Sequence, residues 1–176
     1  MSIHTVGIDP GFEGGIALVG PVLRVWDMPV YTRHLKTKTK SGNAKKRTEY
    51  DLPQMRELLL EISGLCGEHE PVFVFETVNP MPGQNVTATW AQSRGIALWE
   101  GLLVGMGFPY RTVRPQEWKK VIWKGFGSDK AAGYQVACQL YPSIAGQLRT
   151  PRGKLIDGRT DALCIATWGA GTQNDG

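Results

Sequence analysis

Cysteine is scarce in this chain and poorly placed for chemistry. Cys66, Cys138 and Cys164 are the three present, far apart in sequence. Without a C-x-x-C spacing they argue against a zinc site or a redox pair. An odd count suits a reducing compartment, either cytoplasm or an organelle, rather than secretion. No apolar run approaches the ~18 residues of a membrane helix. Met1 to Gly7 lacks the basic segment and apolar run of a signal peptide. No internal repeat appears, and no shift of composition marks a second domain. The expected organisation is therefore one domain over 1–170, with a flexible tail at 171–176.

What is present is a globular composition of 176 residues, 41% hydrophobic and 20% charged, with a net charge of +4 and a pI near 9.0. The basic excess permits a polyanionic partner. Its 22 glycines exceed the usual ~7% of residues and predict tight turns and close backbone approaches. Thr5 to Asp9, Gly15 to Val19 and Val22 to Met28 read as a three-strand meander, with turns at Pro10-Gly11 and Gly20-Pro21. Residues 33–49 carry Arg33, Lys36, Lys38, Lys40, Lys45, Lys46 and Arg47 around Ser41-Gly42-Asn43, and read as a mobile basic loop.

Asp51 is placed to cap a helix, with Gln54 three residues on as in a capping box. Met55, Leu58, Leu59 and Ile62 then fall on one face. Val72 to Phe75 is a buried strand ending at Glu76. A long helix runs from about Val86 to Gly105, with Gly101 and Gly105 spaced for close packing. Tyr110 to Val113 is a strand and Pro115 to Lys120 a short helix. Ser128-Asp129 opens a helix to about Leu140. Thr150 to Lys154 is a second basic stretch, and a last helix spans Asp157 to Trp168. A meander followed by strand–helix units predicts an α/β fold, a mixed central sheet flanked by helices.

The acids give this order its chemical meaning. Asp9 and Glu76 each end a strand, so if those strands are neighbours both carboxylates project at one sheet edge. Asp157 and Asp161, four apart, share a helix face. Docking that helix on the sheet would gather four carboxylates, which repel one another and call for a cation. Donors that are all oxygen favour Mg²⁺ or Mn²⁺, and a pair of such ions ~3.5–4 Å apart suits phosphodiester cleavage. Singly, each acid has a plainer reading. Asp9 before Pro-Gly is an ordinary turn residue, Asp157-Gly158 an ordinary cap, and Glu76 a strand end reaching solvent.

At these residues the sequence resembles the RuvC-like Holliday junction resolvases of the phage and organellar type, within the RNase H-like superfamily. Gly7-Ile8-Asp9-Pro10-Gly11 carries the likeness first, then Phe75-Glu76-Thr77-Val78 with Met81-Pro82-Gly83-Gln84, and Gln92-Ser93-Arg94-Gly95. Pro115-Gln116-Glu117-Trp118-Lys119-Lys120, Ser128-Asp129-Lys130 and Asp157-Gly158-Arg159-Thr160-Asp161-Ala162-Leu163 complete it. The resemblance implies an RNase H-like fold and a Mg²⁺- or Mn²⁺-dependent endonuclease, with two ions per site. It implies a homodimer that cuts four-way DNA junctions to leave 5′-phosphate ends. Asp9, Glu76 and Asp161 match the family's metal-binding acids. The fourth family acid stands three or four residues before the last; three before is Gly158, so Asp157 takes the role. Lys119 and Lys130 match two catalytic lysines. Met81, Pro82, Gln84, Arg94, Lys120 and Arg159, with both lysines, are the expected DNA contacts. Where many bacterial members carry an aromatic wedge, three residues after the strand glutamate, this chain has Asn79.

Two other classes share parts of the pattern. Gly-Ile-Asp-Pro-Gly resembles the first phosphate loop of actin-like ATPases and sugar kinases, but 176 residues is short for their paired domains, and no second Asp-x-Gly-Gly loop is present. A nucleic-acid-binding module without activity would not need the full acidic set. Among nucleases, a broad debranching enzyme or a cutter of RNA–DNA hybrids is the nearest alternative.

Overall fold

A computed structural model of the protein describes residues 4–38, 40–77, 83, 85–127 and 130–172, Lys130 through its backbone alone. Strands β1 (Thr5–Asp9), β2 (Gly15–Val19) and β3 (Arg24–Asp27) form the meander, each antiparallel to the next. β4 (Val30–Lys38) and β5 (Ala44–Tyr50) follow, then helix α1 (Leu52–Cys66), β6 (Val72–Glu76), α2 (Val86–Met106) and β7 (Tyr110–Val113). Helices α3 (Pro115–Ile122) and α4 (Lys130–Leu140), a 3-10 helix at Pro142–Leu148, and α5 (Asp157–Gly171) close the order. The main sheet runs β3-β2-β1-β6-β7, with β1, β6 and β7 parallel.

The helix boundaries follow from local chemistry. Asp51 accepts from the Gln54 backbone N–H at 3.1 Å to open α1. Asn85 does the same for Thr87 and Ala88 at α2, and Gly107, in the left-handed region at φ 78°, ends that helix. Proline at the first position and Glu117 reaching back to the Arg114 N–H at 2.9 Å start α3.

Strand alternation divides the core between the two faces of the sheet. Val6, Ile8, Phe73 and Phe75 join Met55, Leu59 and Ile62 of α1 and Trp99 and Leu103 of α2. On the opposite face Ala17, Val74 and Val113 meet α3, α4 and α5. Asp9 has the parity of Gly7, and Glu76 that of Val74. Both carboxylates therefore project on the face that α5 covers.

Several expectations need correction. Residues 33–49 are not a loop but most of a β-hairpin, β4 paired antiparallel with β5 from Val30↔Tyr50 to Lys38↔Ala44. The basic composition hid the pattern because both strands are largely exposed, so no apolar alternation is written into them. Glu49 lies across from Tyr31, whose hydroxyl donates to it at 2.9 Å, and within 3.8 Å of Arg33 and of Arg47. Among the described residues of this chain nothing packs closely at Gly101 or Gly105, where a Cβ would meet open space. Gly171, placed in the expected tail, belongs to α5, and residues 173–176 of that tail lie outside the described residues.

Candidate active site

β1 and β6 are adjacent and parallel, with Ile8 opposite Phe75, so Asp9 and Glu76 leave the sheet side by side. α5 brings the other two acids. It lies directly against β1, because a Cβ on Gly7 would sit 2.1 Å from the Ala162 carbonyl oxygen, and nothing larger than glycine fits. Gly169, further along α5, abuts Val74 and Thr5. The helix therefore runs antiparallel to β1, and its first turn lies at the Asp9 end. That turn is pressed just as closely. Gly158 bridges Gly14, and a Cβ on Gly158 would fall 2.2 Å from the Glu13 carbonyl oxygen. Gly158 thus lets Asp157 and Asp161 approach the sheet edge.

Asp9, Asp157 and Asp161 line a cleft of about 920 Å³ whose walls include Thr32 and Thr48 of the hairpin, Ala91 and Gln92 of α2, and Lys154. Glu76 is buried beside Asp9, 9% exposed. Burial and the neighbouring Glu76 push the Asp9 carboxyl up to about 6, against the stabilising Gly11 N–H and Lys119. Burial likewise raises Glu76, with Asp161 adding to it, while the Trp118 indole and Lys119 act in the opposite sense. The Trp118 N–H donates to Glu76 Oε2 at 2.8 Å, from a side chain that is fully buried. Lys119 rests against two indoles, 5.0 Å from the Trp118 ring centroid and 4.8 Å from that of Trp123.

This donor set suits a hard cation. The donors are all oxygen, three of them line one cleft with Glu76 buried beside it, and burial together with neighbouring carboxylates makes Asp9 and Glu76 hold their protons more tightly than usual. In this conformation, and among the described residues, no three acidic, histidine or cysteine side chains converge on a single ligating point.

The structure gathers Asp9, Glu76, Asp157, Asp161 and Lys119. Lys120 is exposed and lines a shallow depression beyond Lys119, together with Lys124, which the sequence reading missed. Arg94 is elsewhere, its guanidinium over Trp90 at 5.3 Å. Arg159 departs most from expectation. It makes a bidentate pair with Asp27, both contacts 2.7 Å, and donates a third bond to the Gln147 carbonyl at 2.7 Å. All three guanidinium nitrogens are used in tying α5 to β3 and the 3-10 helix. Met81, Pro82 and Gln84, with Asn79, lie outside the described residues, as does the Lys130 side chain.

Sequence reasoning also missed Trp118 and Tyr50. Trp118 stood inside a recognised motif, but nothing in a lone sequence says that its N–H faces a glutamate. The Tyr50 hydroxyl, at the end of β5, shares its proton between the Pro10 carbonyl at 2.7 Å and the Ala91 carbonyl at 2.9 Å. It ties the hairpin to both the turn after β1 and α2.

Comparison with solved structures places this architecture. Thermus thermophilus RuvC matches with a TM-score of 0.56 at 14% identity, over 98% of this chain and 96% of that one. The same protein in complex with a Holliday junction substrate matches with a TM-score of 0.55 at 16% identity, over 99% and 96%. The chain has the RuvC fold. In sequence, this RuvC-fold chain is 31% identical over 154 residues to the chloroplastic Holliday junction resolvase MOC1 of Chlamydomonas reinhardtii. That alignment spans 84% of the chain but 17% of the relative's length. No family model matches. The likeness to RuvC-like resolvases read from the motifs thus holds in both sequence and fold. No helix among the described residues is long and apolar enough to cross a membrane.

Proposed function

We propose that the chain is an endonuclease that hydrolyses phosphodiester bonds in branched DNA, with four-way junctions as its preferred substrate. The observation that carries this reading is the meeting of Asp9 and Glu76, side by side at the ends of parallel strands, with the first turn of α5 that bears Asp157 and Asp161. The similarity to a Holliday junction resolvase and the RuvC fold supply the substrate class.

Asp9, Glu76, Asp157 and Asp161 would hold Mg²⁺ or Mn²⁺, two ions in the site. When bound, such ions lower the pKa of water and neutralise charge on the leaving oxygen. The protein's own groups set the rest. Trp118 fixes one oxygen of Glu76, leaving the other directed away from the indole. Lys119, held over two aromatic rings, offers a fixed positive charge to a non-bridging phosphate oxygen. Lys130 is assigned to the scissile phosphate, and Met81, Pro82 and Gln84 to contact with the DNA at the branch point. The products are a 5′-phosphate and a 3′-hydroxyl. A symmetric homodimer would match the two-fold symmetry of a junction and allow paired nicks.

The test is incubation with a four-way junction, a replication fork, a linear duplex and an RNA–DNA hybrid, each with Mg²⁺, alongside Asp9→Asn, Glu76→Gln and Asp161→Asn. Junction cleavage by the parent chain, lost in all three variants while their folds persist, is the expected outcome. Near-full cleavage by any variant would overturn the site assignment. Equal competition by linear duplex in Ca²⁺ would replace the junction reading with a general endonuclease.

A further inference from the structure

The hairpin and the start of α2 enclose a second groove, of about 750 Å³, lined by Leu35, Lys45, Lys46 and Arg47 on one side and Val86, Thr87 and Trp90 on the other. Its floor is unusual for a surface this basic. Val86 is 82% exposed and Trp90 44%. Two guanidiniums sit over the Trp90 indole, Arg47 from the hairpin at 5.1 Å and Arg94 from the next turn of α2 at 5.3 Å. Aromatic surface flanked by cations is what single-stranded nucleic acid requires, since bases stack on the ring while phosphates pair with the charges. Intact duplex buries its base faces and has no use for the apolar lining.

The groove is also placed to receive a strand from the active-site cleft. The same two elements border both. Thr32 and Thr48 of the hairpin and Ala88, Ala91 and Gln92 of α2 face the acids, while Leu35, Lys45 to Arg47, Thr87 and Trp90 face the groove. Tyr50, at the base of the hairpin, anchors it to α2.

We propose that this groove binds an unpaired nucleotide of the DNA strand that passes through the cleft, with its base against Trp90 and its flanking phosphates on Lys45, Lys46 and Arg47. The proposal rests on the branched-DNA reading, because a branch point is where unpaired bases become available. It adds a recognition site on α2 and the hairpin, distinct from the acids.

The test couples a protein change to a DNA change. Binding of a labelled four-way junction is measured in Ca²⁺ for the parent chain, Trp90→Ala and Trp90→Phe, with nucleotides near the crossover replaced one at a time by abasic sites. One base–aromatic stack is worth ~1–3 kcal/mol, roughly a 5- to 150-fold change in affinity. Trp90→Ala should weaken binding to the unmodified junction within that range, and Trp90→Phe by less. At one or two abasic positions the parent chain should weaken by a similar factor, and Trp90→Ala should weaken no further. Effects that simply add at every position, or unchanged binding by Trp90→Ala, would overturn the proposal and leave the groove as a protein-docking or hairpin-fastening surface. Should Trp90→Ala unfold, a fluorescent purine analogue placed through the crossover decides: quenching on binding at some position that Trp90→Phe reduces supports the stack, and its absence everywhere refutes it. Repeating the coupling on a single-stranded oligonucleotide separates the two readings, since a failed junction preference would leave that coupling intact.

Discussion

Replacing Asp9 with Asn should make the metal-free protein more stable at neutral pH, even as it removes activity. The Asp9 carboxyl sits at about 6 in the fold against an ordinary 3.8, raised first by burial and then by Glu76. The folded state therefore binds this proton more tightly than the unfolded chain. Between those two values the folded state holds the extra proton, so stability falls as pH rises through the window. Below about pH 4 the group is protonated in both states and contributes nothing. Above about 6 the full penalty applies. At ~1.36 kcal/mol for each tenfold difference in proton affinity, the penalty is about 3 kcal/mol. Asn keeps the shape and carries no charge, so the variant escapes it. Urea unfolding of parent and variant in EDTA, from pH 4 to pH 8, should give curves that coincide at the acid end. They should separate by about 3 kcal/mol at the neutral end, the variant being the more stable. A gap that does not change with pH, or a variant less stable at neutral pH, would refute the reasoning. Added Mg²⁺ should then stabilise the parent more than the variant, through binding to the folded state alone.

Trp118→Phe keeps the buried ring but removes the donor to Glu76 Oε2. Partners that orient a metal-binding group are commonly worth 10–100-fold, so junction cleavage should fall by about that factor. The acid limb of its pH–rate profile should move to higher pH, because Glu76 is deprived of an interaction that favours its charged form. Arg159→Ala should cost about 1 kcal/mol of stability, since Asp27 is 65% exposed and solvent screens the pair; a double-mutant cycle with Asp27→Ala measures the coupling, and the salt dependence of DNA binding should not change. Replacing the hairpin tip, residues 36–46, by a short Gly-Ser turn removes Lys36, Lys38, Lys40, Lys45 and Lys46. Affinity for all DNA should fall. The slope of log K against log salt should flatten by a few units at most, since each phosphate that a lysine neutralises adds ~0.9 to it. An unchanged slope would show that these lysines touch no phosphate.

Much of the sheet was legible because its strands are apolar and buried. β1, β2, β6 and β7 have the limits read from the sequence, and β1 lies beside β6, the condition on which Asp9 and Glu76 meet. The hairpin was not legible, because exposed strands lack the alternation that burial imposes. Asp157 and Asp161 were readable from their spacing, yet their approach to Asp9 depends on Gly7 and Gly158. A sequence shows that those residues are glycine without showing which backbone they touch. Arg159 shows a second limit. A basic residue within a motif suggests DNA, but its bidentate pair with Asp27 on β3 is a contact that only the folded arrangement brings together.

The acids come from β1, β6 and α5, so the candidate site draws on three widely separated stretches of chain. α5 docks on β1 across most of the length of the chain, and it supplies half of the carboxylates. During synthesis, the meander, the hairpin and the first two helices must all emerge before the acid set can assemble. A nascent chain halted between β6 and α5 would carry the basic hairpin and two of the four carboxylates, without the pair that α5 brings. The acid set would be completed in a single step, when α5 seats itself against β1.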